Sequence, residues 1–127
     1  MSYPAEYRYT KDHEWVHLEG NRARIGITDH AQEELGDIVF VELPTVGTAV
    51  GAGDNLATVE SVKAVGEVHA PFAGKVTAVN EDLEASPETV NQAPHADGWI
   101  LDIEPDDAGA VDGLLTAEAY EKLIAEG

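Results

Sequence analysis

Over the first two-thirds of this chain, apolar residues come in runs of strand length, and turn-forming residues separate them. Glu14 to Leu18 alternates, and Gly20-Asn21 marks a turn after it. Arg22 to Ile27 alternates again with Ala23, Ile25 and Ile27 on one side, so the two runs predict a hairpin. Ile38 to Val41, Leu56 to Val59, Glu67 to His69, Val76 to Val79 and Trp99 to Ile103 read as further strands. Pro44, Gly47, Pro71 and Gly74 break the chain between some of them. One short helix interrupts the series: Thr28 or Asp29 caps it, it runs through Leu35, and Gly36 closes it. Many short strands with Gly/Pro turns predict a mainly β fold, a small sandwich or barrel.

The tail changes period. Leu114, Leu115, Ala119, Tyr120, Leu123 and Ile124 fall at helical spacing, with Thr116 as a candidate N-cap and Gly127 at the stop. A C-terminal helical segment over about 112–126 is therefore expected outside the sheets. At 127 residues, the whole of 1–127 is expected to form a single domain, opening with a hairpin over about 7–27.

Composition then limits the chemistry. The chain has no cysteine, so it has neither a disulfide nor a thiol of its own for redox or nucleophilic work. No apolar run reaches membrane-span length, and the first residues have neither secretory nor transit-peptide character, so a cytoplasmic protein is expected. Lys and Arg number 7 against 25 Asp and Glu, a net charge of −18. Nucleic acid and anionic membranes would be repelled. Such a surface suits docking of basic partners, plain solvation, or life at high salt, where the Debye length falls to about 3 Å at 1 M and self-repulsion is screened. Scarce lysine (Lys11, Lys63, Lys75, Lys122) beside abundant Asp, Glu, Ala and Gly favours the salt reading. It predicts higher unfolding stability in molar salt than in dilute buffer; equal stability in the two would remove it.

Residues 13 to 17, HEWVH, match the H-E-x-x-H pattern of zinc proteases. That chemistry needs a helix, where residues four apart are neighbours about 5–6 Å apart at Cβ. Trp15-Val16 and the turn that follows favour a strand, on which His13 and His17 lie roughly 13 Å apart. One zinc ion cannot span that gap. His30 with Glu33 and Glu34 reads as a solvated helix face, and His69 and His95 have no patterned partners. The sequence contains no nucleophile elbow and no phosphate-binding glycine loop. Trp15, Phe40, Phe72 and Trp99 are read as core.

ESVKA, residues 60 to 64, lies between the strands Leu56–Val59 and Glu67–His69, which puts Lys63 at the tip of a hairpin over about 56–69. Alone, a turn lysine is usually just solvated. Here it stands among KDHEWV, GITDHAQEELGDIVFVELPTVG, VESVKA, PFAGKVTAVN, an N-x-x-P-x-x-x-G-W pattern from Asn91 to Trp99, and LLTAEAYEKLI. In order and spacing, from about Tyr9 to Ile124, these segments resemble the H-protein family of the glycine cleavage system, the lipoyl carriers.

The resemblance implies a barrel-sandwich hybrid of the lipoyl/biotinyl type, a non-catalytic shuttle, and lipoic acid in amide linkage to Lys63. Glu60, Ser61, Val62 and Ala64 would present that lysine. The implied partners are glycine decarboxylase (P protein), aminomethyltransferase (T protein), dihydrolipoamide dehydrogenase (L protein) and a lipoate-attaching enzyme. Glu14 and Glu67 match acidic positions near the cleft into which a loaded arm folds in this family. Position 67 is often aspartate in relatives, and Val65-Gly66 replaces a pair that is usually small and polar. The rival carrier readings are a lipoyl domain or lipoyl donor serving 2-oxoacid dehydrogenase complexes, and a biotinyl carrier. A lipoyl domain usually precedes a flexible linker, a donor role is compatible with glycine cleavage, and a biotinyl carrier usually has methionine beside its lysine, where this chain has Val62 and Ala64.

Overall fold

The structure, a computed structural model, describes residues 3–126. Nine strands form two antiparallel sheets: β1 (Arg8–Tyr9), β2 (Glu14–Glu19), β3 (Arg22–Ile27), β4 (Ile38–Glu42), β5 (Ala49–Val50), β6 (Asn55–Ser61), β7 (Val65–His69), β8 (Gly74–Val79) and β9 (Leu101–Pro105). The larger sheet runs β1-β2-β3-β9-β8-β5, and the smaller runs β4-β6-β7. Their inner faces share one core, with Val16, Ile25, Val76 and Ile103 from the first and Val41, Val59 and Val68 from the second. This is the mainly β, sandwich-like architecture that the punctuated short strands predict.

In the N-terminal hairpin β2 pairs with β3, so that Trp15 faces Gly26 and Val16 faces Ile25. Helix α1 (Asp29–Leu35) starts on Thr28, whose hydroxyl accepts the Ala31 N–H, and stops at Gly36 with φ 86°, a backbone angle that favours glycine. Two further single-turn helices, α2 (Asp82–Ala85) and α3 (Thr89–Gln92), and the two-residue strands β1 and β5 carry too few residues to show a period.

Three expectations are corrected. The last strand begins at Leu101 rather than Trp99, because Trp99 closes a turn on the Ala96 carbonyl. The tail is a 3-10 helix over Ala108–Gly113, then an extended Leu114-Leu115, then α4 (Ala117–Glu126). Leu115 leaves the helical pattern because it exchanges both backbone hydrogen bonds with Tyr9. Thr116 does receive the Ala119 N–H as a cap, while the expected stop at Gly127 lies outside the described residues. Phe40 is not core: it is 46% exposed beside Val39 at 53%. A register shift between Ile38 and Phe40 on edge strand β4 accompanies this loss of inward-outward alternation.

A second, aromatic cluster joins the ends of the chain. Tyr9, Trp15 and Tyr120 are buried together, and the Tyr120 hydroxyl meets Thr28 Oγ1 and His13 Nδ1, each at 2.7 Å. Helix α4 is thereby fixed to β1 and to the start of α1.

Candidate functional site

The β6–β7 hairpin pairs Glu60 with Val65 and leaves Ser61 to Ala64 as its tip. Ser61 organises that tip. Its backbone N–H donates to the Ala64 carbonyl at 2.8 Å, and its hydroxyl accepts from the Ala64 and Lys63 amides at 2.9 and 3.3 Å. Val62 N–H donates to the Asp37 carbonyl at 3.1 Å, which anchors the tip to the α1–β4 connection. The turn is therefore held by short polar contacts, and Lys63 projects from it exposed, between Val62 and Val65 at 71% and 61% exposure. Among the described residues, Lys63 Nζ has neither an ion pair nor a hydrogen bond. The lysine stem runs beside Gly36, where a Cβ would stand 3.3 Å from Lys63 Cε. Glu60 is half-buried between Phe40 and Val65 in the sheet register.

From this corner a groove of about 260 Å³ runs between α1 and β7, bedded on Ile27, Ala31, Leu35, Val59 and Val68. Gly66 is part of the same wall, and a Cβ there would meet Leu35 at 3.1 Å. The groove is apolar along its bed and carries Asp12, His13, Glu34 and Glu67 in its lining. Asp12 also lines a wider cavity of about 460 Å³ with Glu14 and His69. Along β7, the distance from Val65 to His69 is four strand steps, about 13 Å.

Glu14 is the charged group that this fold buries most completely, at 1% exposure. Its Oε2 accepts the His69 backbone N–H at 2.6 Å, and its Oε1 accepts the Thr10 hydroxyl at 2.9 Å. Burial pushes its carboxyl above the usual range, and those two hydrogen bonds pull it partly back. One polar atom each from Asp12, Glu14 and His69 lies within 4.8 Å of the others, so two carboxyl groups and an imidazole crowd one spot. Glu67 joins from the same strand as His69 and is exposed.

The structure thus brings Glu14, Glu67 and the neighbourhood of Lys63 along one side of β7. It adds Asp12 and His69, which spacing could not identify: Glu14 and His69 are 55 positions apart. The HEWVH histidines serve separate partners. His13 has φ 68° and turns its ring to Tyr120, while His17 stacks on Tyr7 with centroids 4.5 Å apart. His30 pairs with Glu34 at 2.9 Å on the helix face, and His95 Nε2 accepts the Asp29 amide at the start of α1.

The pattern from Asn91 to Trp99 also gains a physical reading. Asn91 accepts the Ile38 N–H and donates to the Gly36 carbonyl, each at 2.9 Å, so it holds the loop under Lys63. The Pro94 carbonyl accepts the Trp15 indole N–H at 2.8 Å. Gly98 packs where a Cβ would come within 2.8 Å of the Ala93 carbonyl, and Trp99 lies under the Arg24 guanidinium at 3.9 Å.

Comparison with known proteins agrees with this arrangement. The family model described as "Glycine cleavage H-protein" matches residues 7–127. A glycine cleavage system H protein of Anoxybacillus flavithermus is 58% identical over 124 residues, covering 98% of this chain and 98% of that protein. The Bacillus subtilis protein of the same name is 53% identical over 126 residues, covering 99% of each. The crystal structure of a glycine cleavage system H protein from Mycobacterium marinum superposes with a TM-score of 0.88 at 39% identity, over 97% of this chain and 99% of that one. With the family model spanning nearly its whole length and relatives above half identity end to end, this chain belongs to the glycine cleavage H-protein family.

Proposed function

We propose that this chain is the lipoyl-bearing shuttle of a glycine cleavage system, with lipoic acid amide-linked to Lys63 Nζ. The observation that carries the reading is the placement of Lys63: exposed on a turn clamped by Ser61, beside a groove with an apolar bed. When bound, the lipoyl group would supply the redox-active dithiolane that a chain without cysteine lacks.

The chain's own residues then have distinct tasks. Ser61 and the Val62–Asp37 hydrogen bond hold the tip rigid, so an attaching enzyme meets Lys63 in one geometry. Glu60, Val62 and Ala64 flank that lysine and complete the presented surface. Gly36 leaves room for the lysine stem, and Gly66 leaves room for Leu35 in the groove wall. Ile27, Leu35, Val59 and Val68 offer methylenes a dry surface, and Glu14 and Glu67 offer carboxylates to an amine at the far end. The partners are glycine decarboxylase, which loads an aminomethyl group, aminomethyltransferase, which removes it to a folate carrier, and dihydrolipoamide dehydrogenase, which reoxidises the dithiol. The chain itself acts as carrier and not as catalyst, in the cytoplasm. Among the described residues, no helix is long and apolar enough to cross a membrane.

The test is intact mass spectrometry with peptide mapping on protein purified from its native host. A lipoyl increment on Lys63 is expected. A biotinyl increment would redirect the reading to carboxylation, and an unmodified Lys63 in a host with active lipoylation would overturn the shuttle.

A further inference from the structure

The carboxylate end of the groove contains its own competitor for any ammonium group. His69 Nδ1 lies 3.4 Å from Glu14 Oε2 and 3.9 Å from Asp12 Oδ2, while Nε2 lies 3.8 Å from Glu67 Oε2. One imidazole therefore faces three carboxylates: from its own strand, from β2, and from the loop before β2. Nδ1 is buried and has no hydrogen-bond partner among the described residues, although the ring as a whole is only partly buried, with 35% of the side chain exposed. Lys11 also lines the adjoining cavity, and the cross-strand neighbour of His69 is the uncharged Asn55. An imidazole changes between cation and neutral acceptor, and among the described residues no other side chain facing Glu14 does both.

We propose, resting on the cleft reading above, that His69 sets how long the cleft holds the ammonium end of a loaded arm. As a cation, the ring occupies the oxygens of Asp12, Glu14 and Glu67 and competes with the ammonium. As a neutral ring, it leaves those oxygens free and can turn Nδ1 to the ammonium as a further acceptor. His69 is on this account a tuning residue of the shuttle. Its backbone N–H, which holds Glu14 in place, is a separate contribution that side-chain variants retain.

The experiment uses full-length aminomethyl-loaded protein without partner enzymes, and follows the appearance of formaldehyde and ammonia. In that hydrolysis, water supplies the oxygen of formaldehyde. The C–S and C–N bonds break, and thiol, formaldehyde and ammonium are formed. His69→Lys fixes a cation at this position and His69→Gln removes one. The first variant is expected to release about fivefold faster than the second. A second readout needs no arm. In the unloaded protein, the Glu14 carboxyl followed by NMR is expected to titrate about one unit lower in His69→Lys than in His69→Gln, since a nearby cation favours the carboxylate. Equal release rates together with equal Glu14 titration would overturn the role of His69. Glu14→Gln separates the two layers. If it releases no faster than the parent, the cleft reading itself falls and this inference falls with it. If it releases faster while the two His69 variants release alike, only the role of His69 falls.

Discussion

Lys63→Arg is expected to lose the lipoyl increment entirely and to reduce glycine-dependent turnover with the partner enzymes to the level of an assay without this protein. The stability of the variant should stay within about 0.5 kcal/mol of the parent, because the side chain is exposed and has no polar partner among the described residues. Amide formation needs a nitrogen that can shed a proton and attack a carbonyl. The lysine amine can do so, whereas the guanidinium stays protonated and delocalised. Charge and most of the stem length are retained, so the variant separates attachment from electrostatics. The comparison is made by mass spectrometry for the increment, chemical denaturation for stability, and reconstitution for turnover. An arginine variant that still supports turnover would place the transferable group elsewhere in the molecule and end the assignment to Lys63.

The parts of this molecule that were legible in advance are those set by neighbours in the chain. Ala23, Ile25 and Ile27 alternate because β3 has one buried face, and Thr28 and Gly36 bracket α1 because they satisfy its ends locally. The position of Lys63 on a hairpin tip also follows from two strands and a short gap. What composition and period could not show is what the fold joins across distance. The Glu14 carboxylate is buried because β7 returns to supply the His69 amide, and Asp12 comes near them through the loop before β2. Phe40 departs from expectation for a related reason: residue type argues for the core, but it stands exposed beside a register shift on an edge strand. The segment from Asn91 to Trp99 is legible as a pattern through family resemblance alone. Its logic lies in contacts with Ile38, Gly36, Trp15 and Arg24, all far away in the chain.

The N-terminal hairpin gives the second large effect. Trp15 is 1% exposed, stacks on Tyr7 with centroids 4.8 Å apart, and donates its indole N–H to Pro94. Trp15→Ala should destabilise the fold by about 3–5 kcal/mol, from lost burial and an incompletely collapsed cavity. The cross-strand residue opposite is Gly26, where a Cβ would stand 2.7 Å from three atoms of the indole ring. Gly26→Ala in the parent should therefore cost about 1–3 kcal/mol, because a buried ring held by a hydrogen bond cannot swing aside. With the ring gone, the same methyl fills part of the hole. In the Trp15→Ala background, Gly26→Ala should be nearly neutral, giving a coupling of about 1–3 kcal/mol in a double-mutant cycle measured by denaturant unfolding. The consequence reaches the groove, since Glu14 precedes Trp15 and pairs with Ile27, which lines the bed beside α1. If Gly26→Ala costs the same in both backgrounds, the indole is not what excludes a side chain there. The position of Glu14 would then have to be set by its hydrogen bonds to Thr10 and His69 alone.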